Sequence, residues 1–323
     1  MTTATEQSGN RLEHYPVTFF AVTMGMAGLA LAIGAFEKAY GLTSAVSGIA
    51  FGVAMILFGV IVLGYLLKIL RHWKSVVGEW KHPVRLAFFP AISISLMLLA
   101  TACLQHLPVI AEGAWLLGMA LQGVLTIAVI SGWVGARAFP HVTLSPAWFI
   151  PAVGNVIVPL AGAPLGYIEL SWYFMSVGLL FWIVLLTLVM NRLFFHEPLP
   201  GKLQPALVIL IAPPAVAFTA WIGLVGEVDI FARFLLNVAY VFTLIVAVQL
   251  PRIIKLQFSL SHWALSFPIA AAAIASFKFA GATGSQVHNI FGVVLLAALV
   301  VIIAGLLWRT FGAIKAGKVC QPE

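Results

Sequence analysis

Apolar stretches of about 20 residues, long enough to cross a hydrocarbon core, recur along the chain, and polar residues collect between them. Ten such spans are expected: Pro16–Phe36, Ser44–Leu70, Leu86–Leu104, Val109–Gly135, Ala147–Leu165, Ile168–Met190, Leu203–Val225, Ile230–Leu250, Ser261–Phe279 and Val287–Phe311. The fifth is the most interrupted, by Pro151, Pro159 and Pro164. An all-α polytopic membrane protein follows, with a transmembrane domain over residues 16–312 between an N-terminal segment (1–15) and a C-terminal tail (313–323).

Prolines add a second pattern. Pro16, Pro90, Pro151 with Pro159, Pro213 with Pro214, and Pro268 fall in the odd spans, while the interiors of the even spans have none. A proline inside a helix removes one backbone hydrogen bond and bends the axis. In lipid such a break is tolerated where protein or a water-filled cavity meets the freed groups. The alternation therefore predicts five helical hairpins, with kinked odd helices in an inner ring around a pore and even helices outside, facing lipid. The competing explanation is that prolines are simply commoner in membrane helices than in soluble ones.

The ninth span carries the sharpest feature. It opens with Trp263 and is interrupted by Pro268, with Phe267 directly before the break and alanines behind it. Phe267 is read as the residue that plugs the pore. Against this stands the ordinary fate of most of the 23 phenylalanines, which is core or lipid contact.

Composition agrees with the membrane reading: 62% of residues are hydrophobic, 8% are charged and the mean hydropathy is +1.09, where soluble domains carry about a quarter charged residues. The start, MTTATEQSGNRLEHYP, lacks a basic stretch followed by a short apolar run, so no removable signal is expected. With Cys103 in an apolar span and Cys320 in the tail, no disulfide framework is expected. The net charge of +7 is explained by topology. With the N-terminus in the cytoplasm, 14 of the 17 Lys and Arg residues lie inside and only Lys38, Arg233 and Lys278 outside; Arg137 is one of the inside residues. Both termini are then cytoplasmic, and no nucleic-acid partner is implied.

The apolar stretches of the odd spans are expected to lack Asp, Glu, Lys and Arg, which argues against a carrier built on a buried carboxylate and against a pore lined by acidic rings. What they offer is small and neutral: Thr23, Gly25 and Gly28; Ser93 and Ser95; Gly154 and Asn155; Thr219; Ser266 and Ser276. Thr23, Gly25, Ser93, Asn155 and Ser266 are candidate lumen residues, and Pro90, Pro151, Pro213, Pro214 and Pro268 candidate kinks. Helix packing uses the same small residues, and for any one of them it is the commoner role. The sign of the permeant ion is only leaned toward anions by the basic cytoplasmic face. The eight histidines, His106 among them, show no metal-ligand spacing, and no phosphate loop, dinucleotide fingerprint or nucleophile elbow occurs. No cofactor and no enzymatic activity are expected. At Gly226–Asp229, GEVD places acids before the eighth helix, where they complement its dipole, and Arg233 is positioned to pair with Asp229.

Taken together, FFAVTMG (Phe19–Gly25), HPVR (His82–Arg85), IPAVGN (Ile150–Asn155), LGY (Leu165–Tyr167), APP (Ala212–Pro214), GEVD and WALSFP (Trp263–Pro268) resemble the bacterial tellurite-resistance protein TehA and the plant slow-type anion channels, within the tellurite-resistance/dicarboxylate transporter group. The resemblance covers Pro16 to about Arg309. It implies ten helices with quasi-fivefold symmetry, a homotrimer with one pore per subunit, and a bacterial inner-membrane location. It also matches the family's gating phenylalanine to Phe267 and its inner-helix glycine to Gly25. Ala21, the position of Pro90 and the added Pro214 depart from the bacterial pattern. The leading reading is a passive channel for chloride, nitrate or similar monovalent anions, with a neutral pore occluded by Phe267. A secondary carrier exporting dicarboxylate, sulfite or tellurite-type oxyanions is the alternative, and a non-transporting sensor or scaffold the third.

Overall fold

A computed structural model describes residues 11–104, 107–135 and 139–321. The first ten residues and the last two of the expected terminal segments, together with His106 and Arg137, lie outside the described residues. Twelve α-helices follow in order: α1 (Phe20–Ala39), α2 (Ala45–Arg71), α3 (Trp73–Lys81), α4 (Ala91–Cys103), α5 (Pro108–Val134), α6 (Phe149–Val153), α7 (Val158–Gly162), α8 (Ile168–Phe195), α9 (Ala212–Val225), α10 (Ile230–Ile254), α11 (Ser266–Thr283) and α12 (Gln286–Lys315).

Among the described residues, nine helical stretches are long and apolar enough to span a membrane. They coincide with nine of the ten expected spans. The fifth differs, because Pro146–Gly162 is not one helix. It passes from a 3₁₀ turn (Pro146–Trp148) through α6 and a second 3₁₀ segment (Gly154–Ile157) into α7. Pro151 and Pro159 each withhold an amide donor, and Gly154 between them is a weak helix former, so the winding changes repeatedly.

The other four inner elements share a simpler design. A 3₁₀ segment precedes the α-helix in each: Val17–Phe19 before α1, Arg85–Phe88 before α4, Gly201–Ile211 before α9 and Leu260–Leu265 before α11. The prolines sit at these junctions and do not break the middle of an α-helix. Pro90 is the residue before α4, Pro213 and Pro214 are the second and third residues of α9, and Pro268 is the third of α11. In a first turn a missing N–H removes a donor that had no intrahelical partner. The break expected at Pro268 therefore lies three residues earlier, between Leu265 and Ser266.

The inner elements close a ring. α1 packs on α4, α4 on α7, α7 on α9, α9 on α11, and α11 returns to α1. Each is backed by its hairpin partner: α2, α5, α8, α10 and α12 in turn. Burial separates the two layers, with 56–78% of the central window buried in the four long inner spans against 17–33% in the five outer ones. The exposed outer faces, with Ile56, Val60 and Leu63 on α2 and Val301 and Trp308 on α12, present apolar surface to lipid. This is a multi-pass membrane architecture.

Several helices outrun their apolar cores. α10 continues through Pro251 to Ile254, and α12 reaches Lys315, past the expected start of the tail at 313. α1 extends to Ala39, past the expected end at Phe36, which puts Glu37 and Lys38 inside an inner helix, and Lys278, within the expected ninth span, lies in α11. The expectation that the apolar stretches of the odd spans lack Asp, Glu, Lys and Arg is corrected at Lys278. Glu37 is buried and its Oε1 accepts the Val46 and Ser47 N–H groups at 3.0 and 3.2 Å, capping α2.

The amphipathic α3 was not anticipated, and it anchors the tail-bearing end of the ring. Its Glu79 is buried and pairs with Lys68 of α2 at 2.8 Å. Glu79 also accepts from Tyr65 Oη at 3.0 Å and from the Val17 N–H at 3.3 Å, while Lys68 Nζ donates to the Tyr15 carbonyl at 2.8 Å. A carboxylate from a separate helix thus satisfies the orphan amide at the start of the first inner element. Lys68→Met leaves the Glu79 charge buried without its partner, so a loss of about 3–5 kcal/mol is expected. Thermal unfolding in detergent checks it, with Arg71→Met, at an exposed position, within about 0.5 kcal/mol of the parent as the control.

Candidate functional site

Where the five inner elements converge they line a cavity of about 40 Å³. All five contribute to its wall: Met24 from α1, Ile94 from α4, Phe149, Val153 and Ile157 from the segmented fifth element, Ile209, Pro213 and Val216 from the seventh, and Phe267 from α11. That composition puts the cavity at the centre of the ring. Its wall carries no polar side chain.

Phe267 reaches the cavity through its local fold. Trp263 is buried and donates from Nε1 to Thr310 Oγ1 of α12 at 2.9 Å, which fixes the 3₁₀ segment against the outer layer. Ser266 Oγ donates back to the Trp263 carbonyl at 2.6 Å. The next residue, Phe267, then turns inward with 8% of its surface exposed. Gly28 of α1 lies against the ring; a Cβ there would stand 3.2 Å from Phe267 Cδ2 and 3.0 Å from Ala270 Cβ.

The other candidate lumen residues go elsewhere. A Cβ at Gly25 would stand 2.2 Å from Ser266 Oγ, so this glycine permits the close approach of α1 to α11. Ser93 Oγ donates to the Pro90 carbonyl (2.8 Å) and to Gln122 Oε1 (2.7 Å), and Ser95 Oγ to the Phe20 carbonyl (3.1 Å). Asn155 Nδ2 donates to the Ala152 carbonyl and to Thr126 Oγ1 of α5, at 2.6 and 3.0 Å. The Pro151 carbonyl, left over where α-winding gives way to 3₁₀, accepts from Gln122 Nε2 (3.1 Å) and Thr126 Oγ1 (2.9 Å). Thr23 is fully buried and its Oγ1 has no hydrogen-bond partner among the described residues. Pro90, Pro151, Pro214 and Pro268 are buried near junctions, and of the five kink candidates Pro213 lines the cavity. Thr23, Gly25, Ser93, Asn155 and Ser266 are therefore not among the residues that line this cavity.

Sequence reading missed the aliphatic wall, Ile94, Val153, Ile157, Ile209 and Val216, because nothing distinguishes a lumen-facing isoleucine from a packed one. A signal did exist for Gly28, which stands one helical turn after Gly25 on the face turned to α11. A larger cleft of about 500 Å³ lies off the ring, between Trp80 of α3, Leu86 and α5 residues such as Gly132. At the other end, Asp229 caps α10 by accepting the Ala232 N–H at 2.7 Å and binds Trp221 Nε1 at 3.0 Å. The Ala232 amide holds its carboxyl below the usual carboxylate range. Arg233 does not pair with Asp229 and lies over the Phe279 ring, 5.4 Å from its centre.

A family model described as a voltage-dependent anion channel matches residues 14–311. The S-type anion channel SLAH3 of Arabidopsis thaliana is 32% identical over 235 residues, 71% of this chain and 36% of that protein. The guard cell S-type anion channel SLAC1 of the same plant is 26% identical over 62% of this chain and 37% of its own. The tellurite resistance protein TehA homolog of Haemophilus influenzae is 26% identical over 86% of this chain and 85% of its own. The chain thus spans little more than a third of those two plant relatives.

The seam between α1 and α11 is tight enough to test. Gly25→Ala forces a methyl into the Ser266 side chain and is expected to lower stability by about 1–3 kcal/mol, the usual cost of overpacking. Adding Ser266→Gly, which vacates that space, should recover most of the loss in a thermal-unfolding series.

Proposed function

This chain belongs to the voltage-dependent anion channel family, and from that premise we propose a passive channel for small monovalent anions such as chloride and nitrate, closed at Phe267. The observation that carries the reading is the apolar cavity at the ring centre with the Phe267 ring in its wall. An apolar space of about 40 Å³ has room for a few waters at most, and cavities of this character stay dry. An anion entering it loses its hydration shell and finds no polar side chain in return, so the constriction blocks conduction by dewetting. Opening requires the Phe267 ring to leave the axis.

Discrimination among anions would follow dehydration cost, because no fixed charge in the cavity wall binds one ion tightly. The curated relatives are named as anion channels, transporters and a resistance protein, not as enzymes. The remaining features are part of the same reading: a transmembrane domain over 16–312, a homotrimer with one pore per subunit, a bacterial inner-membrane location and both termini in the cytoplasm. The last rests on the concentration of Lys and Arg at the tail-bearing end. Pro213 at the wall, and Pro90, Pro151, Pro214 and Pro268 near the 3₁₀–α junctions, are assigned the shaping of the lumen. Gly25 is assigned the spacing of α1 from α11, and Thr23, Ser93, Asn155 and Ser266 the holding of junctions and seams.

Purified protein in planar bilayers, under chloride, nitrate and gluconate gradients, tests this. Phe267→Ala is expected to raise conductance at least about tenfold, equivalent to removing ~1.4 kcal/mol from the barrier, with currents reversing at anion potentials. A folded Phe267→Ala protein that conducts no better than the parent would sink the gate. Saturable oxyanion uptake in vesicles without current would favour a carrier.

A further inference from the structure

We propose that Lys278, with Lys38 beside it, forms an anion-recruiting site in the mouth of the pore opposite the tail-bearing end, a site for small inorganic anions held by charge. The inference rests on the channel reading above.

Helical register carries the first step. Lys278 follows Phe267 by eleven residues, three turns of α11, so it lies about 20° around the axis and about 16 Å further along. From Ser266 to Ala280, only Ile274 and Lys278 are not buried. Both lie on the Phe267 stripe. The residues flanking Lys278 are turned into helix interfaces. Phe277 packs on Phe36 and beneath Gly292, and Phe279 on Phe218 and His288. An inner helix enclosed by α1, α9, α10 and α12 has one open direction left, the lumen.

Lys38 supplies the second charge. It sits in the last turn of α1, two heptads beyond the cavity residue Met24, and is exposed. Gly25 and Gly28 of α1 lie against Ser266 and Ala270 of α11, and the two helices followed in step from there bring Lys38 level with the turn of α11 that carries Lys278. Neither lysine forms an ion pair among the described residues. Glu37, the neighbour of Lys38 in sequence, is buried, with Oε1 capping α2 and Oε2 without a hydrogen-bond partner among the described residues; Asp229 caps α10, and Glu112 accepts from Tyr167 Oη at 2.6 Å. Two adjacent cations facing a water-filled mouth repel one another, and an anion between them relieves the repulsion. Lysine ammonium groups act as point charges without the planar fork of arginine. The site therefore raises local anion concentration and leaves the choice between chloride and nitrate to the apolar constriction.

The test uses the conducting Phe267→Ala protein and adds Lys278→Gln. At low salt the conductance is expected to fall about three- to tenfold, the low end of electrostatic focusing. Near 1 M salt, where the screening length is about 3 Å, the difference should vanish. The chloride-to-nitrate permeability ratio should not change, and Lys278→Arg should restore conductance. An anion current that Lys278→Gln leaves unaltered at low salt overturns the site while leaving the channel reading intact. Crystals of the parent grown in bromide give a readout independent of conduction. An anomalous peak beside Lys278 Nζ, lost in Lys278→Gln, supports the site; no peak there overturns it whether or not the protein conducts.

Discussion

In hydrocarbon an unpaired carbonyl or amide costs several kcal/mol, and each inner element here changes winding along its length, which leaves such groups at the junction. The arrangement of the ring follows from where those groups find partners. The Pro151 carbonyl is met by Gln122 and Thr126 of the outer helix α5. The Pro90 carbonyl is met by Ser93, the Trp263 carbonyl by Ser266, and the Phe20 carbonyl by Ser95 of the neighbouring inner helix. A lipid-facing position could supply none of these. The interrupted helices are therefore held inside a second layer, and the unbroken helices, whose backbone is satisfied within each segment, form that layer.

The same constraint shapes the lumen. Hydroxyl and amide side chains needed at the junctions are turned into the seams, and Met, Ile, Val, Pro and Phe side chains line the central cavity. Trp263, Ser266 and Phe267 show the division within one turn: the first bonds an outer helix, the second its own carbonyl, and the third meets the cavity. Gly25 and Gly28 then let α1 approach this turn closely. The first inner element is further fixed at its start by the buried Glu79 of α3, whose partner Lys68 comes from α2. Position in the ring is thus set by polar contacts away from the central cavity.

Much of this was legible in the residue pattern. Apolar run length located nine spans, because a membrane helix must be both long and uncharged. Proline placement separated inner from outer helices, because the physical penalty for a broken helix differs between the two environments. The segmented fifth element was visible only as crowded prolines, since winding depends on which neighbours reach the freed carbonyls. The direction of Ser93, Asn155 and Ser266 was not legible. A hydroxyl in a membrane helix serves a lumen or a carbonyl equally well, and a rotation of one residue about the axis decides between them. Lys278 falls within the expected ninth span and also counts among the outside cations, since a lysine one residue from the end of an apolar run reads equally as the end of the helix or as the start of the loop. Glu79 and Lys68 lie close in space because α3 folds back on α2, which no local pattern announces.

On the proposed reading, charge at the mouth and none in the constriction separates two demands on a channel. Conduction needs entry to be favourable and exit to be fast. A lysine inside the dry cavity would attract an anion with far more energy than in water and hold it there. In a fully solvated setting the same ion pair at 4 Å is worth about 1 kcal/mol. That concentrates anions several-fold but does not trap them. Met24, Ile94 and Val216 at the wall then act on every anion through dehydration alone. On this reading Lys278 and Lys38 set how often an ion arrives, the aliphatic wall sets which ion passes, and Phe267 sets whether any does.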